Sequence, residues 1–195
     1  MNSMSRGYND SYGRDKDRDR DRDRDRDRDR DRDRDRDREC PTIIKCGSPS
    51  FTPINNAAVG QSFIVASLNL DTSCICNPSI KLEFASNIIV TDAGASDVGL
   101  TFRVFKQCRR NQIQIPVGPV WSFFVEEADF STTFSFFVCD SDSDSCDEDE
   151  DCCTYTVVAT VTDSLGTGNL FVNNATLGAI ATCKNSCRKC RRDRD

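Results

Sequence analysis

The 195-residue chain contains no histidine, and it has no apolar stretch of the length that crosses a membrane as a helix. Histidine is the usual base beside a nucleophilic serine or cysteine, so its absence removes the commonest routes to nucleophilic and acid–base catalysis. No Gly-rich phosphate loop or recognisable nucleophile motif is present either. We therefore expect a protein that is not an enzyme, with no cofactor and no small-molecule substrate.

A secretory signal is likewise not evident, because the opening residues MNSMSRGYNDSYGRD contain no apolar segment after the first charge. We expect synthesis in the cytoplasm and no membrane span. A uniformly basic surface is also missing, since the net charge is -6 and each arginine of the amino-terminal repeat has an aspartate neighbour. This pairing cancels the field that a phosphate backbone would feel, so we expect no nucleic-acid partner.

Cysteine, in contrast, occurs twelve times. Cysteine-rich chains bind metals in a reducing cytoplasm, whereas disulfides form once a protein meets an oxidising environment. Zinc held by four thiolates is an alternative, although no pair of C-x2-C knuckles is present. The spacing C-x3-C-x2-C at 183–190 is also that of radical-type iron–sulfur ligands, but such a cluster needs a large surrounding barrel. Disulfides within and between copies are the interpretation that we favour.

Composition divides the chain into four regions. Residues 1–38 form an arm dominated by twelve consecutive Asp-Lys or Asp-Arg dipeptides, which offer no apolar group to bury and predict disorder. Residues 39–53 are rich in Cys and Pro and are expected to be an extended connector. Residues 54–183 are predicted to form the folded domain, and residues 184–195 form a basic tail that contains cysteine.

Apolar and polar residues alternate along seven or eight stretches of the domain, which predicts half-buried strands. The inward-facing residues predicted in this way are Ile64, Ala66, Leu68, Leu70, Ile80, Leu82, Phe84, Leu100, Phe102, Val104, Trp121, Phe123, Val125, Phe134, Phe136, Val138, Tyr155, Val157, Ala159 and Val161. A last pair of short strands is predicted around 170–172 and 177–181. Since no window has a helical period, the predicted class is all-β, a two-sheet antiparallel sandwich of which the jelly roll is one form.

Position along the chain separates the cysteines into two sets. Cysteines in the flexible regions beside the domain can reach another copy, so the intersubunit disulfide candidates are Cys40, Cys46, Cys183, Cys187 and Cys190. The intradomain disulfide candidates are Cys74, Cys76, Cys108, Cys139, Cys146, Cys152 and Cys153. A bond from Cys139 or Cys146 to Cys152 or Cys153 would close the acidic loop, but the sequence leaves the connectivity open.

The acidic loop at 140–151, DSDSDSCDEDED, carries eight carboxylates. Asp140, Asp142 and Asp144 match the alternating oxygen ligands of a calcium loop, and Asp151 stands at the twelfth position. However, Ser145 occupies the position where such loops need glycine, the closing residue is not Glu, and no flanking helices are predicted. A solvated charged loop is the favoured interpretation, and weak divalent-cation binding is the alternative.

Five segments of the domain together form a distinctive series of motifs: CNPSIKLEF at 76–84, FRVFKQC at 102–108, FSFFVCD at 134–140, CCTYTVV at 152–158 and NNATLGAIA at 173–181. Together they resemble a family of uncharacterised proteins from endospore-forming anaerobic bacteria, known only as a domain of unknown function. The resemblance covers about residues 44–182. A looser similarity of architecture is to subunits of endospore appendage fibres, in which jelly-roll domains stack and disulfides attach an amino-terminal connector to a neighbour.

This chain departs from the fibre subunits because it has no adjacent cysteine pair near the amino terminus. The resemblance nevertheless implies a structural, self-assembling protein of a spore surface layer or appendage, cross-linked by disulfides. It would reach the spore surface when the mother cell lyses, with other copies or other spore-surface proteins as partners. The alternative is a metal-binding module that uses thiolate zinc or weak calcium binding in the acidic loop.

Overall fold

The computed structural model describes residues 41–75, 77–91, 97–109, 113–126, 129–141, 152–163 and 168–183. Within these ranges every regular element is a β-strand and none is a helix. The described strands are β1 (Ile43–Cys46), β2 (Ser50–Pro53), β3 (Ser62–Asp71), β4 (Pro78–Thr91), β5 (Val98–Cys108), β6 (Ile115–Val125), β7 (Phe130–Asp140), β8 (Cys152–Asp163) and β9 (Asn169–Cys183). The predicted all-β class is confirmed. The predicted arm at 1–38 and the tail at 184–195 lie outside the described residues.

The strands form two antiparallel sheets. In the first sheet the order is β1-β9-β4-β7, and β2 pairs with β9 further along the edge that β1 also occupies. In the second sheet the order is β3-β8-β5-β6. The edges of the first sheet are therefore β1 with β2 on one side and β7 on the other, whereas β3 and β6 are the edges of the second. The predicted two-sheet antiparallel sandwich is confirmed.

The core lies between the two sheets, where alternate residues of each strand point inward. Strand β4 follows the predicted alternation, because Leu82 and Phe84 are each 1% exposed whereas Lys81 and Glu83 face solvent. Six aromatic rings join the sheets at centroid separations of 4.8–6.4 Å, within the favourable range for ring pairs. They belong to Phe84, Phe102, Trp121, Phe123, Phe134 and Phe136.

One predicted inward residue faces solvent instead. The side chain of Ile64 is 61% exposed, and the neighbouring Val65 and Ala66 are both buried. The register between β3 and β8 shifts between Ile64 and Ala66, which identifies a β-bulge at this point. A bulge places an extra residue in one strand and reverses the alternation on one side of it, so the prediction for Ile64 was wrong.

The last two short strands predicted near the end of the domain are a single strand, β9, of 15 residues. Its buried positions change from even to odd numbers between Val172 and Ala175, and Asn174 between them has a φ of 53°. Asparagine tolerates this left-handed conformation better than most residues do. The irregularity explains why the pattern looked like two strands, because the alternation restarts after Asn174.

The segment expected to be an extended connector contributes two strands to the first sheet. Its residues Ile43–Cys46 form β1 and Ser50–Pro53 form β2, and both pair with β9. Gly47 between them donates its N–H to the carbonyl of Leu177 at 2.9 Å. A Cβ at Gly47 would lie 2.9 Å from that oxygen and 3.0 Å from the Ser67 carbonyl oxygen, so glycine lets the chain pass between the sheets.

Candidate functional site

Six strand termini meet at one end of the sandwich, which we call the cysteine end. In the first sheet, Pro78 lies opposite Cys183 and Ile80 lies opposite Asp140. In the second sheet, Asp71 lies opposite Cys152 and Cys108 lies opposite Cys153. The strand registers therefore bring together cysteines that are far apart in the sequence, and the acidic loop departs from the same end.

A disulfide joins Cys108 of β5 to Cys153 of β8 at the cysteine end. Their Cα atoms are 4.0 Å apart, and the residues are direct partners on neighbouring strands. Both are buried, with exposures of 8% for Cys108 and 4% for Cys153. Both belong to the set of intradomain candidates, but the bond links two adjacent strands of the second sheet rather than closing the acidic loop.

Four described cysteines are free thiols, and all four are exposed. Cys74 lies in the turn after β3, and Cys152 begins β8 beside the buried Cys153. Cys46 ends β1, and Cys139 lies one residue before the end of β7. The adjacent Cys152 and Cys153 thus point to opposite faces of the sheet, as expected for consecutive residues of a strand.

The other cysteine candidates divide between one bonded residue and five outside the described ranges. Cys183 is itself disulfide-bonded. A sulfur that is bonded within the chain cannot also link to a neighbour, so Cys183 is removed from the intersubunit set while that bond persists. Candidates outside the described residues are Cys40, Cys76, Cys146, Cys187 and Cys190.

Asp140, the first residue of the proposed calcium loop, belongs to a buried polar cluster. Its Oδ2 atom accepts a 2.7 Å hydrogen bond from the Tyr155 hydroxyl and lies 3.2 Å from the Lys106 ammonium nitrogen. Tyr155 is fully buried and Asp140 is 7% exposed. A buried carboxylate requires a charge partner and hydrogen bonds to offset its loss of hydration, and these two residues supply both.

Sequence reasoning did not connect these three residues, although one signal was present. Tyr155 is an inward-facing tyrosine in a strand whose other inward residues are apolar, and a buried tyrosine hydroxyl usually finds a polar partner. Asp142, Asp144 and Asp151 lie outside the described residues. Among the described residues, no group of three or more Cys, Asp or Glu side chains is placed to hold a metal ion.

The turn that carries Cys74 begins at Asp71. The Asp71 carboxylate accepts a 3.0 Å hydrogen bond from the Ser73 backbone N–H, and the Ile75 N–H donates to the Thr72 carbonyl at 2.8 Å. The bond from the Ser73 backbone, together with one from its hydroxyl, holds the pKa of the Asp71 carboxyl below its ordinary value. These bonds order the turn and hold Cys74 at the surface of the cysteine end.

The strand order and core define an antiparallel β-sandwich protein. More particularly, the chain belongs to DUF4489, a domain of unknown function whose family model matches residues 40–182. The match includes the segment that forms β1 and β2. No curated protein matches the chain. Within the described residues, no helix of the length and apolar character needed to cross a membrane is found.

The solved structures to which the chain is similar have little sequence identity with it. The VP2 protein of infectious bursal disease virus, as a D431N mutant in T=1 particles, matches with 10% identity and a TM-score of 0.47, covering 74% of this chain and 32% of VP2. A VP2 subviral particle of that virus gives 8% identity, a TM-score of 0.44 and coverages of 74% and 32%. The chain thus spans about a third of these proteins' length.

A carbohydrate-binding module of the β-sandwich superfamily matches with 8% identity and a TM-score of 0.29, covering 69% of this chain and 55% of the module.

Proposed function

We propose that this protein is a structural, self-assembling building block that is cross-linked by disulfides between copies. The observation that carries the proposal is the set of four exposed free thiols, Cys46, Cys74, Cys139 and Cys152, on a domain that already contains a buried Cys108–Cys153 disulfide. The Cys108–Cys153 disulfide already stabilises the core, so the core does not require the exposed thiols. They are accessible to thiols of other molecules.

The strand arrangement supports a jelly roll, a fold whose two sheets leave edges for association. When β1 and β2 are counted as one interrupted strand, this first strand pairs with the last strand, β9. The other pairs are β3 with β8, β4 with β7 and β5 with β6. This is the pairing of one long hairpin wrapped into two sheets, as interleaved Greek keys require. Exposed strand edges carry unpaired backbone groups that another copy can use.

The spore location in the proposal comes from the sequence resemblance. The chain would be made in the reducing cytoplasm of the mother cell, where its thiols stay reduced, and would be oxidised at the spore surface after lysis. Oxidation at that stage would lock an assembly that noncovalent contacts had already formed. Partners would be other copies of the chain or other spore-surface proteins.

A role without catalysis is part of the proposal. Histidine is lacking in the whole sequence, and Asp140, a carboxylate buried among the described residues, is paired with Tyr155 and Lys106. A group held in this way stabilises the fold and is not poised for proton transfer to a substrate.

Electrophoresis of the oxidised full chain with and without reductant, followed by peptide mapping without reduction, tests the proposed function. We expect a ladder of multimers that reductant converts to monomer, with linked peptides that contain exposed cysteines such as Cys46. Cys40, Cys187 and Cys190 are further cysteines to look for in these peptides. A monomer in both lanes would contradict the proposal, and stoichiometric zinc that protects these thiols from alkylation would favour the metal-binding alternative.

A further inference from the structure

Two of the free thiols lie at opposite edges of the same sheet. Cys46 is on β1 and Cys139 is on β7, which are the outermost strands of the order β1-β9-β4-β7. The β3 and β6 edges of the second sheet contain no cysteine. Cys74 and Cys152 do not lie on an edge strand of the first sheet. Of the four described free thiols, Cys46 and Cys139 are therefore the two that lie on the edge strands of the first sheet.

Both thiols point to the solvent face of this sheet. Cys46 lies opposite Gly178, which in turn lies opposite Glu83, and Cys139 lies opposite Lys81. Cross-strand partners share a face, and the exposed side chains of Lys81 and Glu83 identify it as the outer face. Ile80 and Ala181 belong to the next row of cross-strand partners, and both are buried and point into the core.

The two sulfurs cannot bond to each other within one folded chain. Three strand spacings separate β1 from β7, and at about 4.8 Å each these amount to about 14 Å. Disulfides usually join Cα atoms about 4.4–6.8 Å apart, far less than this separation. The separation therefore excludes a Cys46–Cys139 bond within one folded chain.

The direction of the strands allows a second copy to continue the sheet. Each neighbouring pair in the order β1-β9-β4-β7 is antiparallel, so β1 and β7 run in opposite directions. A copy placed beside the first by translation therefore presents its β1 antiparallel to the first copy's β7. The 11 residues of β7 match in number the segment Ile43–Pro53 that contains β1 and β2.

Exposed apolar side chains flank both thiols on the outer face. Ile44 is 71% exposed beside Cys46, and Phe137 is 55% exposed two residues before Cys139. Burial of Ile44 and Phe137 against a neighbouring copy would remove apolar surface from water and so favour the contact.

We infer that a second copy of this chain pairs its β1 with β7 and that Cys46 of one copy forms a disulfide with Cys139 of the next. This inference rests on the proposed function and identifies its contact. In a straight continuation of the sheet, the rows of cross-strand partners of one copy continue into the next. A shift of two residues along the strand direction from that arrangement places the two cysteines directly opposite each other. Direct cross-strand partners are close enough for a disulfide, and Cys108 and Cys153 already use this geometry within the domain.

The contact uses different surfaces on the two copies, so each addition leaves a free β1 and a free β7 for the next. Such head-to-tail contacts build rings or open filaments according to the rotation between copies. For each bond, the two thiols lose two protons and two electrons to a disulfide oxidant such as oxidised glutathione. The oxidant becomes two thiol molecules as the sulfur–sulfur bond forms by way of a mixed disulfide.

The test uses the full chain, half of it labelled uniformly with 15N, mixed in the reduced state and oxidised with oxidised glutathione. Digestion without reduction and mass spectrometry should show a peptide that links Cys46 to Cys139, with hybrids of one labelled and one unlabelled half. C46S and C139S should each lose this peptide, whereas an equal mixture of the two variants should regain it. C74S and C152S are matched controls, since they remove exposed thiols away from the edges and should keep the peptide.

The outcomes separate this contact from the general proposal. Multimers joined only through other cysteines, with Cys46 and Cys139 alkylated as free thiols, would overturn the edge contact and leave the proposed function standing. A linked peptide without labelled–unlabelled hybrids would show a bond within one chain and overturn the contact as well. The absence of any disulfide-linked multimer would overturn both.

Discussion

The hydroxyl of Tyr155 on β8 donates a 2.7 Å hydrogen bond to Oδ2 of Asp140 at the end of β7, and this bond joins the two sheets. Lys106 on β5 completes the cluster at 3.2 Å from the same oxygen. The acidic loop begins immediately after Asp140, so the cluster attaches the start of the loop to the cysteine end of the core. This relationship affects both stability and cation binding.

Replacement of Tyr155 by Phe should lower the free energy of unfolding by about 1–3 kcal/mol, because the buried Asp140 carboxylate loses a hydrogen bond that water cannot replace. Urea denaturation followed by fluorescence or circular dichroism measures the change. Thr154→Ala is a matched control on the same strand, since its 2.7 Å hydrogen bond to Asn69 is exposed, and it should change the free energy by less than about 0.5 kcal/mol. Equal losses in the two variants would contradict a special role for the buried bond.

Removal of the Cys108–Cys153 disulfide by replacing both residues with Ala should destabilise the domain strongly. The bond closes a sequence separation of 45 residues. A loop of this size restricts the unfolded chain enough to predict a loss of about 2–4 kcal/mol in the free energy of unfolding. The double variant C74A/C152A, which removes two exposed free thiols, should retain the original stability in the same denaturation experiment. A comparable loss in this control would show that the measured effect does not come from the disulfide.

Calcium should bind only weakly. Asp140 would supply the first ligand of the loop, but Tyr155 and Lys106 already contact its carboxylate, and the sequence lacks the glycine turn of a calcium loop. Calorimetric titration with Ca2+ should show millimolar affinity or none, as for loosely organised sites. Lys106→Met would free the Asp140 carboxylate from its charge partner and serves as a comparison. Submicromolar binding by the unaltered chain would move the metal-binding alternative ahead of the structural proposal.

Substitution of Gly47 by Ala should destabilise the domain by about 1–3 kcal/mol, because the added methyl group meets backbone oxygens that cannot move aside easily. The two oxygens belong to Leu177 and Ser67, at 2.9 and 3.0 Å from the position of the Cβ. Thermal and urea unfolding measure the change. Ser48→Ala is the control, since Ser48 is exposed next to Gly47 and its replacement should have little effect. An unchanged Gly47→Ala variant would indicate that the passage between the sheets is wider than the structure shows.

Truncation distinguishes the arm from the strands that follow it. Removal of residues 1–38 should leave the melting temperature unchanged, because the Asp-Arg repeat has no apolar group to dock. Removal of residues 1–48 also deletes β1, which pairs with β9 at four positions, and should lower the melting temperature. Differential scanning calorimetry of both truncated chains provides the comparison. An equal fall in both would mean that the arm contributes to the folded domain.

The alternation of apolar and polar residues determined the fold class and most of the core. In β8, Tyr155, Val157, Ala159 and Val161 are buried as predicted, because successive side chains of a strand point to opposite faces wherever the strand lies. The local pattern also predicted where the acidic loop begins and ends, between the end of β7 and the start of β8. It failed at Ile64 and around Asn174, where bulges depend on how a strand fits its neighbours.

Only the tertiary structure decided which cysteines meet. The sequence placed Cys108 and Cys153 in one set without pairing them, and it placed Cys46 in a connector and Cys139 within the domain. The registers of β5 with β8 join the first two, and the strand order puts the other two on opposite edges of one sheet. Pairing and edge position arise from contacts between residues distant in sequence, whereas a period of two residues carries information only about the strand in which it occurs.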